Sequence, residues 1–248
     1  MSENNQPIFR QTENYTTTAQ ASTGVMAKNF VSNVMTYMTA ALAISGVMAY
    51  WFGTNESLLM MLYNSAGTGL SMFGWIAMLG PLGLVLLMGF RFQRMSSTGM
   101  LTVMIAFSLL MGISLSSIFA VYSFGSIATT FLITAGTFGT MAVLGYTTST
   151  DLTKFGSIMM MGLIGIILAM VVNWFLQSGT MDYIISGLGV LIFTGLTAYD
   201  MQKLKRIGMQ VESGTEEGNK LALMGALTLY LDFINLFLFL LRFLGNRD

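Results

Sequence analysis

Seven apolar stretches, each about 18 to 24 residues long, occupy most of this chain from about residue 30 to its end. At about 1.5 Å rise per helical residue, each is long enough to cross roughly 30 Å of hydrocarbon. They run over about Phe30–Phe52, Met72–Phe90, Met100–Tyr122, Ile127–Tyr146, Phe155–Leu176, Tyr183–Asp200 and Leu221–Leu244. The runs are continuous rather than alternating, which excludes the strands of a β-barrel. Short connections with turn chemistry separate them, among them Gly53-Thr54-Asn55, Ser96-Ser97-Thr98-Gly99 and Gln177-Ser178-Gly179. The predicted fold is an all-α membrane protein, a bundle of seven transmembrane helices.

Composition supports the same conclusion. Of the 248 residues 54% are hydrophobic and 9% charged, against about a quarter charged in a soluble domain. Lipid must therefore cover much of the surface, and no stretch is left for a separate soluble domain. The formal net charge is zero, so nothing points to nucleic acid. Residues 1–27 are polar and are expected to form a disordered cytoplasmic tail, with residues 28–248 forming the transmembrane domain. The opening lacks the basic start and early apolar core of a cleaved signal, so the first helix is expected to serve as an uncleaved insertion signal.

Basic residues orient the bundle. Arg10 and Lys28 precede the first span, Arg91 and Arg94 follow the second, Lys154 follows the fourth, and Lys203, Lys205, Arg206 and Lys220 lie between the sixth and seventh. The intervening connections carry none. Positive charge on every second connection places those loops and the N-terminus in the cytoplasm. Arg242 and Arg247, at the end of the last span, depart from the pattern. Full crossing of that helix is the favoured reading, incomplete crossing the alternative. Gly136, Gly139, Gly162, Gly165, Gly187, Gly189 and Gly195 lie within spans, where small residues let helices approach closely in lipid. The 23 methionines are scattered and read as core filling.

Without cysteine or histidine, thiol catalysis, zinc thiolate sites, Ser–His dyads and the usual pH switch are excluded. Proton chemistry falls to Asp, Glu, Lys or Tyr. Ionisable groups within spans are costly to bury and so mark function. Asp200 lies at the end of the sixth span and Asp232 deep in the seventh, with no cation within four residues of Asp232. The plain structural alternative is a lone aspartate satisfied by a nearby Thr or Asn. Thr228, Asp232 and Asn235 share one helical face, with Arg242 on roughly the same side, and Thr197 lies one turn before Asp200. Their depths conflict: Asp232 is about 18 Å into its helix if that begins near Lys220. Asp200 is much nearer the surface, unless the sixth helix extends or a cavity admits water.

If the two carboxylates meet, they cannot both ionise easily in a poor dielectric, and the pair would hold a shared proton. Deprotonated, it would repel itself and attract a cation. Ca²⁺ prefers carboxylate oxygen but takes six to eight ligands, so Asp200 and Asp232 would bind it weakly and transiently, as along a path.

The segment Thr194-Gly195-Leu196-Thr197-Ala198-Tyr199-Asp200-Met201-Gln202-Lys203 resembles a signature of the Bax inhibitor-1 family. So do Leu229-Tyr230-Leu231-Asp232-Phe233-Ile234-Asn235-Leu236-Phe237 and Leu241-Arg242-Phe243-Leu244-Gly245. Phe90-Arg91-Phe92-Gln93-Arg94-Met95-Ser96 and Gly145-Tyr146-Thr147-Thr148-Ser149-Thr150-Asp151-Leu152 are similar to segments of its bacterial members. The resemblance implies that the last helix is central and that the protein is a pH-sensitive calcium leak. It makes Asp200 and Asp232 the pH sensor, and an arginine from the end of the second helix, Arg91 or Arg94, a latch on one aspartate. Some members are regulators of cell death or of a membrane-bound protease.

The leading expectation is thus a leak gated by the aspartate pair, closed by protonation and opened by loss of the proton, with Ca²⁺ as permeant ion and no cofactor. The alternative is a membrane scaffold that restrains another membrane protein, with the tail as its handle. An enzyme is not expected. Aspartates on the last two helices are shared with intramembrane aspartyl proteases, but Leu229-Tyr230-Leu231 replaces their Gly-x-Gly and no Pro-Ala-Leu is present. Short loops and the absence of cysteine point to a bacterial cytoplasmic membrane.

Overall fold

In the computed structural model the described backbone covers residues 6–64 and 69–246, with side chains described from residue 23 onward. Among the described residues eight α-helices follow one another: α1 (Gln6–Thr54), the short α2 (Glu56–Met60), α3 (Met72–Arg91), α4 (Ser97–Leu115), α5 (Phe124–Thr147), α6 (Thr153–Leu176), α7 (Gly179–Gly208) and α8 (Glu216–Leu244). A 3₁₀ turn, Ser116–Ala120, extends α4. All but α2 contain a stretch long and apolar enough to span a membrane, seven in total among the described residues.

The helix boundaries follow local chemistry. Ser71, Ser96, Ser123, Ser178 and Thr215 each precede a helix in extended conformation and accept a hydrogen bond from an amide three residues on. That satisfies one of the backbone donors left free in a first turn. Gln177 closes α6 in the left-handed conformation, at φ 49°. Where a disordered tail was expected over residues 1–27, α1 runs from Gln6. Pro7 falls in its first turn, where a missing N–H is tolerated, and the chain's other proline, Pro81, lies within α3. Residues 1–5 of that expected tail lie outside the described residues.

α8 occupies the centre. Within its apolar stretch 72% is buried, against 11% for the peripheral α6. It packs against α7, α1, α5 and α4, burying Ala226, Leu229, Tyr230 and Leu236 completely. α1 contributes one buried stripe, Ala27, Phe30, Val34, Met38, Ala41, Ser45, Ala49 and Phe52, spaced three or four residues apart as a single helical face requires. α3 packs on α4, and α6 on α7.

The tightest approaches differ from those expected. A Cβ at Gly145 would overlap the carbonyl oxygen of Ala198 on α7, and one at Gly112 the carbonyl oxygen of Ser45 on α1. Gly162, Gly189 and Gly195 do sit against Ile192, Phe239 and Met159, respectively. Gly136, Gly139 and Gly165 face open space. Spacing alone does not say which face of a helix meets a neighbour and which meets lipid.

One end of the bundle is stapled together by its basic connections. Arg206 on α7 bonds Asp151 of the α5–α6 connection at 2.6 Å. Lys205 donates to the carbonyl of Tyr146 at 2.8 Å. Glu216 accepts from the Ser97 amide and hydroxyl, and Lys220 lies over the Phe92 ring. The α3–α4, α5–α6 and α7–α8 connections therefore share one side, as the alternation of charge required.

Candidate functional site

The depth conflict between the aspartates is resolved by the length of α7. This helix continues past Asp200 to Gly208, eight further residues (208 − 200), or about 12 Å. Asp200 is thus an interior residue and not a terminal one. Antiparallel packing sets the register: Leu204 lies against Gly225, and Phe193 stacks on Phe239 with ring centroids 5.7 Å apart. Between those contacts Asp200 falls opposite Asp232, while the first turns of α8 overhang the end of α7.

Both aspartates are buried, at 8% and 6% exposure, and their carboxyl groups lie within hydrogen-bonding reach of each other. Oδ2 of Asp232 receives no hydrogen bond from any described donor. Lys203, one turn beyond Asp200, is exposed and acts on that carboxylate only through its field. Two carboxyls without a bound cation can share this space comfortably when one of them holds a proton that bridges to the other.

The pair opens onto a cavity of about 460 Å³ between α6, α7 and α8. α6 and α8 both lie on α7, but no packed interface joins them among the described residues, and the cavity fills that gap. Thr228, Asn235 and Arg242 line it together with the two aspartates, on walls made by Leu163, Ile167, Leu196 and Leu238. Thr228 and Asn235 each donate to a carbonyl one turn earlier in α8. At the far end Arg242 pairs with Asp182 of α7 at 3.4 Å. Beyond this ion pair lies a second cavity of about 360 Å³, lined by Asn173, Trp174, Asp182 and Arg242 among others.

The structure brings together Asp200, Asp232, Thr228 and Asn235. It does not bring the other candidates to them. Thr197 is fully buried and its hydroxyl is committed to the Phe193 carbonyl. Arg91 and Arg94 are exposed, and neither forms an ion pair among the described residues. They sit at the end of α3, which packs on α4 rather than on α7 or α8.

Sequence reasoning missed Asp182, although a signal existed. Arg242 is a cation in a bundle end otherwise poor in basic residues, and Asp182 in the first turn of α7 supplies the neutralising charge at that same end. It also missed the strap over α7. Gln202 accepts from the Leu152 amide, donates to the Thr150 carbonyl and accepts from Arg206. Asp151, outside the spans, accepts from the Thr153 hydroxyl and from Arg206, which hold its carboxyl well below the usual carboxylate range. No three of His, Cys, Asp and Glu come together among the described residues in a way that could hold a metal ion.

Fold and site together define a multi-pass α-helical membrane protein with a buried carboxyl pair on a cavity between α6, α7 and α8. The chain belongs to the Bax inhibitor-1 family: residues 27–248 match the family described as inhibitor of apoptosis-promoting Bax1. It is 44% identical over 224 residues to an uncharacterised protein of Borreliella burgdorferi, covering 90% of this chain and 94% of the other. To the inner membrane protein YbhL of Escherichia coli K12 it is 41% identical over 221 residues, 89% of this chain and 92% of that one. A Rickettsia prowazekii protein is 40% identical over 220 residues, covering 89% and 90%.

Proposed function

We propose that this protein is a proton-regulated cation leak of a bacterial inner membrane, with Ca²⁺ as the permeant ion and Asp200 and Asp232 as both sensor and transient ligands. The inner-membrane assignment follows the relative YbhL, an inner membrane protein by name. The observation that carries the reading is the meeting of two buried carboxyls on the wall of a cavity of about 460 Å³. While one proton is shared, the pair is a hydrogen-bonded contact between α7 and α8 and the path is closed. When the proton leaves, two carboxylates repel across the same interface and offer a hard divalent cation oxygen ligands. Two carboxylates fall far short of a full Ca²⁺ shell, so the ion stays briefly and moves on. Thr228 and Asn235 extend the polar lining along α8. The scheme needs no cofactor and no catalytic residue.

The test is Ca²⁺ flux into proteoliposomes between roughly pH 6 and 8, for wild type, Asp200→Asn and Asp232→Asn. Flux that rises with pH in wild type and loses most of that dependence in both variants is the expected result. An unaltered pH profile in Asp232→Asn would overturn the mechanism. No flux above empty liposomes at any pH would overturn the leak itself.

A further inference from the structure

Two residues before Asp232, α8 carries a second buried polar group, and it points the other way. At about 100° per residue, Tyr230 and Asp232 project from nearly opposite sides of the helix. Tyr230 is fully buried. Its hydroxyl lies 2.7 Å from Ser45 Oγ on α1, and Ser45 Oγ donates to the Ser108 carbonyl on α4 at 2.7 Å. Because the Ser45 proton is committed to Ser108, the Tyr230 hydroxyl must be the donor to Ser45. Phe107 on α4 meets the tyrosine ring edge-on, with centroids 5.0 Å apart. Ser45 is itself clamped, since only a glycine at position 112 lets α4 approach its carbonyl.

A hydroxyl in this position is not needed to fill space; a phenylalanine would do that. What it adds is direction. A turn of α8 about its axis by one residue would break a hydrogen bond that no water in the bilayer core replaces. The same turn would carry Asp232 away from Asp200. We infer that Tyr230 is a positioning residue: its bond to Ser45 fixes the rotation of α8 and thereby holds Asp232 opposite Asp200 on the cavity wall.

The inference rests on the reading of Asp200 and Asp232 as a coupled pair, but it can be tested without any flux. The ionisable groups facing Asp232 are few. Asp200 opposes it from α7, Lys203 acts on Asp200, and Arg242 sits at the far end of the cavity. α4 and α5 contain no Asp, Glu, Lys or Arg, and the part of α1 whose side chains are described, from residue 23, contains Lys28 alone.

Infrared difference spectroscopy of the purified full chain in nanodiscs, labelled with isotopic aspartate, follows protonation of the two carboxyls across pH. Asp232→Asn assigns the signals. In wild type the pair is expected to titrate in two separated steps, and the separation measures how closely the carboxyls are held. In Tyr230→Phe and in Ser45→Ala the two steps are expected to draw together by about one pH unit, a tenfold loss of coupling. Wild-type titration in either folded variant, with or without a loss of thermal stability, would make the bond mere helix packing and overturn the inference. Should Tyr230→Phe fail to fold, Ser45→Ala breaks the same bond from α1 and decides alone. A chain that leaks no Ca²⁺ but shows the narrowed titration would refute the leak and keep the positioning role.

Discussion

Asp151 and Asp232 show how differently two carboxyls can be placed in one small protein. Asp232 is buried against another carboxyl, with no described donor to its Oδ2. Asp151 is exposed at the bundle end and accepts from the Thr153 amide and hydroxyl and from Arg206. In the proposed scheme Asp232, and not Asp151, responds to the proton. An acid whose folded-state value lies below its unfolded one of about 4 contributes stability above that value. The contribution is lost as pH falls from there through the folded value. Asp151 therefore stays ionised throughout the range in which flux is measured. Asp151→Asn is expected to leave the shape of the Ca²⁺ flux profile between roughly pH 6 and 8 unchanged. Its thermal midpoint should fall below wild type at neutral pH, with the difference narrowing once the pH drops past about 4. A flux profile displaced along the pH axis in Asp151→Asn would instead make the strap on α7 part of the sensor.

Among the elements, the α5–α7 contact constrains the site most directly, because α7 carries Asp200 and α5 reaches it through bare backbone at Gly145. An alanine there must push the helices apart. Gly145→Ala is expected to cost about 1 to 3 kcal/mol, as overpacking does. Gly136→Ala on the same helix meets nothing within 4 Å and should be neutral or stabilising by up to about 1 kcal/mol. Thermal unfolding of both variants in detergent checks this, and equal losses would mean that helix propensity and not the contact is being measured. Both glycines lie in one apolar run, and the sequence alone does not distinguish them. Span number and approximate limits were legible because apolar length is a property of the segment itself. So was the polar stripe of Thr228, Asp232 and Asn235, which helical period dictates. The partner of a residue on another helix was not. The true end of α7 lay hidden because Met201 to Gly208 mixes Lys and Arg with buried Met201 and Leu204, which lowers hydropathy without stopping the helix. Arg242 looked anomalous only until Asp182 was placed beside it.

At the scale of the whole molecule, the bundle encloses the helix that carries Asp232 more fully than any other. α8 holds an aspartate, an asparagine and a tyrosine within six residues, Tyr230 to Asn235, and stays in the membrane because its neighbours α1, α4, α5 and α7 shield these groups from lipid. Shielding is incomplete along the gap between α6 and α8, and there the cavity forms. The proposed leak along this cavity requires that α8 reach the opposite surface. Its 29 residues from Glu216 to Leu244 measure about 43 Å, more than the hydrocarbon thickness of roughly 30 Å. The ion pair of Arg242 with Asp182 makes the basic residue at its far end affordable there. Because the chain has no cysteine, single introduced thiols report sidedness without background. Glu212→Cys in the α7–α8 connection is expected to react with a membrane-impermeant maleimide only after the cells are broken open. Asn246→Cys, just beyond α8 and exposed, should react from outside in intact spheroplasts. Labelling of both from the same side would mean that α8 turns back within the bilayer, and the two cavities that meet at Arg242 could not then join opposite faces of the membrane.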